Sequence, residues 1–381
     1  MKAKCLTLLL VASVPALPCL AEDDPVTLYG RVYATVESVR ADPGVASHAR
    51  VSDQSSRLGV RGTETIAPGT KAFFQLETAF QPDQNDTTFA GRNSGVGLVN
   101  AAGTLLLGRW DVPFKVANYD VDVFGDFTIG AFSMALQGSG VAGINSQFNR
   151  RDQNVVQYWS PTLAGFQLKL TWAANEAKTA TANPRSEGGS LTWTRGPVYA
   201  GHAYHQLRDQ PYGIYTNVAP TLPAVLTTGT IQVDKQQGQS VFAAFDVGPL
   251  RFGADYQEFK RTGPVLPDRV LPGTVVGFSK QKAWMGNVTW KLGAHKLMYQ
   301  YLETRGGIQQ AASAALTPAD PKCDVNALAW QYDFSKRTFV IAQYVRVRNN
   351  ATSMCTLGQN PLAVVAGQDP EGYSLGMHHV F

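Results

Sequence analysis

The chain has 381 residues, 16% of them charged, and a formal net charge of +4. That near-neutral balance argues against a general nucleic-acid binder, which concentrates Lys and Arg. Beyond the N-terminus no apolar stretch approaches the roughly 20 residues of a membrane-spanning helix, and convincing long helical periodicity is absent.

The first residues read as a leader rather than as fold. Met1-Lys-Ala-Lys4 is basic, Leu6 to Val14 is a short apolar run, and Cys19-Leu-Ala21 offers small residues for cleavage before acidic Glu22-Asp-Asp24. This is the pattern of a secretory signal peptide over residues 1–21, which leaves 22–381 as one domain. Pro18 fits a lipoprotein site at Cys19 poorly. Loss of Lys2 and Lys4 takes the mature net charge to +2.

Strand-like alternation begins at Val26-Thr-Leu-Tyr-Gly-Arg-Val-Tyr-Ala34, where Arg31 falls opposite Leu28 and Val32. A hairpin follows over 55–80, turning at Ala67-Pro-Gly69. Successive side chains of a strand point to opposite faces. Arg57, Gly59 and Arg61 therefore share one face, and Leu58 and Val60 the other. Lys71, Phe73, Gln75 and Glu77 likewise oppose Ala72, Phe74, Leu76 and Thr78. Similar runs recur at 166–172, 250–256, 284–290, 328–334 and 339–347. Alternating segments of about ten residues are what membrane-spanning strands look like in sequence.

Short turns near 65–69, 101–103, 160–165, 195–197, 246–249, 291–294 and 333–336 alternate with long polar loops near 38–51, 82–88, 111–151, 174–187, 207–237, 260–279, 304–323 and 348–369. Seven turns and eight loops require sixteen strands. An even strand number with short turns at one rim and long loops at the other predicts an all-β fold, a 16-stranded antiparallel transmembrane barrel. Closure leaves no unpaired strand edge in lipid. Tyr29, Trp110, Tyr158, Trp159, Trp172, Trp193, Tyr256, Trp284, Trp290, Trp330 and Tyr344 fall at or near predicted strand ends, as an interfacial aromatic girdle requires.

Cys323 and Cys355 are the mature cysteines, in loop-like stretches rich in Pro, Ala, Asn and Gly. In an oxidising compartment a disulfide linking two outer loops is expected. Neither has a Cys or His at metal-ligand spacing, so no zinc site is read here, and no cofactor is implied. Adjacent His378 and His379 point to opposite faces of a strand and do not chelate easily together.

Several blocks resemble general bacterial porins, especially those of β-proteobacteria: Val26-Thr-Leu-Tyr-Gly30, Ser55-Ser-Arg-Leu-Gly-Val-Arg-Gly-Thr-Glu64, Lys71-Ala-Phe-Phe-Gln-Leu-Glu77, Arg92-Asn-Ser-Gly-Val-Gly-Leu98, Gly103-Thr-Leu-Leu-Leu-Gly-Arg109, Tyr158-Trp-Ser-Pro161 and Phe381. The Ser-Arg-Leu-Gly-Val-Arg-Gly-Thr-Glu block is the most specific. The resemblance implies a homotrimer in the outer membrane of a Gram-negative bacterium, in contact with its lipid and lipopolysaccharide. Each barrel would be a water-filled diffusion channel for small hydrophilic solutes and ions, narrowed by an inward-folded third loop. Terminal Phe381, on one face with Tyr373, Leu375, Met377 and His379, looks like the address read by the barrel-assembly machinery. Val380 departs from the basic residue usual in similar proteins.

The family pattern also implies wall cations facing loop acids. The basic candidates are Arg31, Arg57, Arg61, Arg109, Arg150 and Arg151; the acidic ones are Asp120, Asp122 and Asp126 in Asn118-Tyr-Asp-Val-Asp-Val-Phe-Gly-Asp126. The Pro-Glu that usually precedes Phe-Gly is replaced here by Asp122-Val123. With Leu105 and Leu107 outward, Arg109 would face lipid at a cost of about 2–4 kcal/mol, so a bulge at Gly108 or a rim position is expected. More bases than acids predict a weak to moderate anion preference. An outer-membrane enzyme would need a nucleophile–base pair, and no Ser/His/Asp grouping falls on adjacent predicted strands. A substrate-specific porin and an adhesin or interaction barrel, using a loop such as 207–237, are the alternative functions.

Overall fold

The computed structural model describes residues 26–83, 87–125, 128–131, 148–174, 176, 178–180, 182–216, 229–262, 274–312, 315–319 and 321–381. The expected leader over 1–21 lies outside the described residues.

The wall is built in chain order. Its first half is β1 (Thr27–Arg40), β2 (His48–Asp53 and Arg57–Ala67), β3 (Thr70–Phe80), β4 (Ser94–Asn100), β5 (Gly103–Asp111), β6 (Arg151–Trp159), β7 (Phe166–Ala174) and β8 (Arg185–Arg195). Its second half is β9 (Val198–Thr216), β10 (Gly229–Val247), β11 (Leu250–Thr262), β12 (Thr274–Leu292), β13 (His295–Ala312), β14 (Lys322–Asp333), β15 (Thr338–Asn349) and β16 (Glu371–Val380). Each strand runs antiparallel to the next, and β16 pairs with β1 from Arg31↔Val380 to Arg40↔Glu371. The sheet is therefore a closed 16-stranded barrel. Short pieces at Thr87–Thr88 and Ala315–Ala319 pair beside β3 and β13 without entering the wall order.

Alternation decides which face meets lipid. Leu58, Leu76, Leu98, Leu105, Leu107, Leu168, Leu170 and Leu375 are exposed outward, while Gln157, Gln257, Gln300 and Gln343 are buried on the inner face. Burying every backbone amide in the ladder lets this apolar skin sit in hydrocarbon. Of the expected girdle, Tyr158, Trp172, Trp284, Trp290 and Trp330 are exposed. Tyr29, Trp110 and Trp159 instead turn inward. Tyr29 shares the face of Arg57, and Trp110 and Trp159 pack on buried Leu106 and Val155.

The region expected as loop 38–51 holds more strand than its composition suggests. Residues 48–53 pair with the outer half of β1 from Val39↔His48 to Ala34↔Asp53. The break in β2 follows immediately. The Asp53 carboxylate accepts the Ser55 and Ser56 amides at 2.9 and 3.0 Å, and Ser55 sits at φ 64°. Strands β9, β10 and β12 reach 19 residues, well beyond the roughly 9–11 that span a bilayer.

The apolar core lies inside the barrel, between the third loop and the far wall. Val112, Phe114, Ala117, Val121, Phe124 and Ile129 pack on Phe242, Phe259, Met285, Met298, Leu302 and their neighbours.

Candidate pore constriction

The third loop leaves β5 through a one-turn helix, α1 (Pro113–Val116), and crosses the lumen. Phe114 and Phe148, at the two ends of the loop, lie 5.7 Å apart and both meet Phe259 of β11, at 6.1 and 5.0 Å. All three rings are fully buried. Polar contacts continue the seam. Tyr199 donates to the Ala117 carbonyl, Arg251 to the Asp120 carbonyl and Asn287 to the Val121 carbonyl, at 2.8, 2.7 and 2.7 Å. The loop is thereby pinned to β9, β11 and β12, with β1 to β4 across the lumen.

On that opposite side stands the charge cluster. Arg31 and Arg57 are direct cross-strand partners on β1 and β2. Arg92, just before β4, joins them within electrostatic range. Glu77 of β3 meets Arg92 at 2.6 Å and Arg57 at 3.7 Å and accepts the Tyr29 hydroxyl at 3.2 Å, and Asp53 lies within electrostatic range of Arg31. Tyr119 of the third loop stands within electrostatic reach of Arg57. Three arginines against Glu77 and Asp53 leave this stretch of lumen with a net positive charge.

The expected site residues separate into groups. Arg31 and Arg57 are in the cluster, but Arg31 is only 7% exposed. Its guanidinium donates to the Ser55 and Gln54 carbonyls at 2.9 and 3.3 Å, filling the break in β2. Arg61 lies further along β2 toward the short-turn rim, over the Tyr29 ring. Arg109, Arg150 and Arg151 line a separate cavity of about 300 Å³ near the long-loop rim, with Asp152 and Glu176. The bulge expected beside Arg109 is present as a register shift between Gly108 and Trp110, with Gly108 at φ +147°. Arg109 donates to the Gly91 carbonyl at 2.9 Å. Arg151 pairs with Asp111 at 2.9 Å, an acid it shares with Lys115, and Arg150 pairs with Asp152.

The loop acids do not form one ladder. Asp120 is exposed and lies within electrostatic range of Lys169 on β7. Asp122 is buried toward the wall, near Asp255, and accepts the Phe124 amide at 3.0 Å. Asp126 lies outside the described residues.

Cys323 and Cys355 are joined, with Cα atoms 6.3 Å apart. The bond ties a strand to a loop rather than two loops, because Cys323 pairs with Asn349 inside β14. The eighth loop that carries Cys355 then turns inward: the Gly358 and Gln359 amides donate to the Ile129 and Thr128 carbonyls of the third loop at 2.9 and 3.0 Å. Phe381 exchanges backbone bonds with Gly30 at 3.1 and 3.3 Å. His378 stacks inward on Phe339 while His379 turns out to Thr338.

A Ser/His/Asp grouping does exist, assembled across strands that are not all adjacent. Ser186 Oγ lies 2.7 Å from His205 Nε2 and donates to Asp152. The three residues come from β8, β9 and β6, and strand pattern alone did not place β6 beside the other two. The arrangement does not suit nucleophilic catalysis. The carboxylate lies on the Nε2 side, 4.0 Å away, instead of orienting Nδ1, and His205 is fully buried.

Sequence reasoning missed Arg92, Glu77, Lys169 and Tyr119. Glu77 was recoverable, since it shares parity with Lys71, Phe73 and Gln75. Arg92 precedes its strand, where parity gives no guidance.

A closed antiparallel barrel with an apolar outer skin and a polar lumen is a pore-forming outer-membrane barrel. Residues 6–352 match the Gram-negative porin family, and the chain belongs to it. It is 26% identical to outer membrane porin protein 32 of Delftia acidovorans, over 98% of this chain and 99% of the relative. It is also 26% identical to major outer membrane protein P.IB of Neisseria gonorrhoeae, over 87% and 90%. The structure resembles that of the anion-selective porin from Comamonas acidovorans, with a TM-score of 0.74 at 24% identity, covering 94% of this chain and all of that one. The trimer form of OmpT from Vibrio cholerae gives a TM-score of 0.69 at 18% identity, over 94% and 99%. The protein is an outer-membrane diffusion channel.

Proposed function

We propose that this channel favours small anions and works as a homotrimer, reaching the outer membrane after loss of residues 1–21. One observation carries the selectivity: Arg31, Arg57 and Arg92 stand together at the narrowed stretch, where Arg57 and Arg92 share Glu77 and Arg31 has Asp53 within electrostatic range, so the bases outnumber the acids. A thin aqueous lumen with low-dielectric walls focuses the field of such fixed charges, and a net positive stretch lowers the energy of a passing anion. The names of the Comamonas porin and of the trimeric Vibrio protein agree with this reading. Phe381 serves in it as the assembly signal, and Arg61, Arg150 and Arg151 extend the positive potential toward the two rims.

The test is the single-channel reversal potential in a potassium chloride gradient. Wild type should reverse toward the chloride potential. Arg57→Gln with Arg92→Gln should move it toward cations, and the shift should shrink in concentrated salt, where the Debye length falls to roughly 3 Å at 1 M. An unchanged reversal potential in dilute salt removes these residues from the selectivity filter.

A further inference from the structure

One stretch of the lumen is not polar. Phe73, Leu106, Trp110, Val155, Trp159 and Ala173, from β3, β5, β6 and β7, pack into a patch on the inner face. Leu106 and Val155 are buried, but the rings of Phe73, Trp110 and Trp159 keep part of their surface open. Phe73 lies flat on the wall because its cross-strand partner is Gly97, where a Cβ would come within 2.5 Å of the ring. Beside the patch a cavity of about 380 Å³ is lined by Thr27, Arg61, Phe73, Gln75, Thr104 and Trp159, among others. Thr27 opens β1, Thr104 follows the 101–102 turn and Trp159 precedes the 160–165 connection. The cavity therefore lies at the short-turn end, past the arginine cluster.

Two cations flank it. The Arg61 guanidinium sits 4.9 Å from the Tyr29 ring centroid, and the Lys169 ammonium 5.3 Å from the Trp159 ring centroid. Among the described residues neither makes a salt bridge; Asp120 acts on Lys169 only at longer range. Open aromatic faces beside unneutralised cations match a solute with a flat apolar body and a negative end.

We propose that this cavity is a binding station for small aromatic carboxylates. The ring of the solute lies on Phe73 and Trp159, and its carboxylate pairs with Arg61 within the field of Lys169. The station deepens the anion-channel reading and rests on it, because the arginine cluster delivers anions to this end of the lumen. Small alkyl acids carry the charge without the ring. Aromatic ammonium ions carry the ring with the charge that Arg61 and Lys169 repel.

The test uses the full-length channel in planar bilayers, with benzoate, acetate or benzylammonium added at equal ionic strength to a potassium chloride background. Benzoate should produce resolved interruptions of current, and acetate and benzylammonium should not. Trp159→Leu and Arg61→Gln should each shorten the benzoate residence time at least fivefold. Should Trp159→Leu fail to assemble, Phe73→Leu tests the same surface. Wild type that does not conduct potassium chloride would refute the channel reading itself. A conducting channel that ignores benzoate, responds equally to acetate, or keeps its benzoate residence time in the variants would overturn the station alone.

Discussion

Arg31 and Arg57 face each other across one strand pair, yet their environments give them different work. The Arg31 guanidinium is spent on the Gln54 and Ser55 carbonyls that the break in β2 leaves without ladder partners. Arg57 is less buried and shares Glu77 with Arg92. Arg31→Ala is expected to cost about 1–3 kcal/mol through buried carbonyls left unsatisfied, read as a lower urea midpoint in lipid or detergent. Arg57→Ala should act chiefly on reversal potential. Glu77→Gln removes the acid that Arg57 and Arg92 share and should shift the reversal potential further toward chloride. Asp120→Asn should do the same more weakly, and Asp122→Asn least, because Asp122 faces the wall near Asp255 rather than the open lumen. Equal shifts from the two aspartates would contradict that geometry. Parity made Arg57 legible in the sequence and could have given Glu77, which shares the face of Lys71, Phe73 and Gln75. It could not separate Asp120 from Asp122, which sit two residues apart in a loop without a fixed period.

Period-two alternation and turn chemistry sufficed to number and order the strands, because a one-residue slip would turn each apolar set from lipid to water, but not to find their outer ends, which run into the stretches 38–51, 207–237, 260–279 and 304–323 expected as loops. The third loop obeys no such rule. Its path depends on Phe114 and Phe148 meeting Phe259, a contact between segments more than a hundred residues apart that local pattern does not encode. The inward turn of the eighth loop onto Ile129 and Thr128 was hidden for the same reason. Phe114→Ala should therefore loosen the loop while sparing the barrel. Truncation of a buried Phe costs about 3–5 kcal/mol, here charged mainly to the seam between loop and wall. Single-channel conductance should rise and become noisier, with the strand signal in circular dichroism unchanged. A variant that loses strand content would show that the loop supports the wall itself.

At the scale of the molecule, two solvents act on one sheet. The outer face must suit hydrocarbon and the inner face water, and each strand serves both through alternate residues. On the closing strand, Leu375 is 58% exposed and lies opposite Val36 of β1, 60% exposed, while its neighbour Ser374 is buried inside. Leu375 is mid-strand, so Leu375→Arg places a charge near the middle of the apolar band and should cost about 2–4 kcal/mol. Closure multiplies the consequence, since β16 is the strand whose pairing with β1 removes the last open edge. The expected result is less heat-modifiable barrel on unboiled gels and a lower urea midpoint in lipid vesicles. Ser374→Thr, a polar change on the inner face one residue away, should leave both near wild type. If Leu375→Arg assembles as well as Ser374→Thr, then Leu375 faces protein or water in the membrane, and the outward face of β16 would belong to a contact between protomers instead of to lipid.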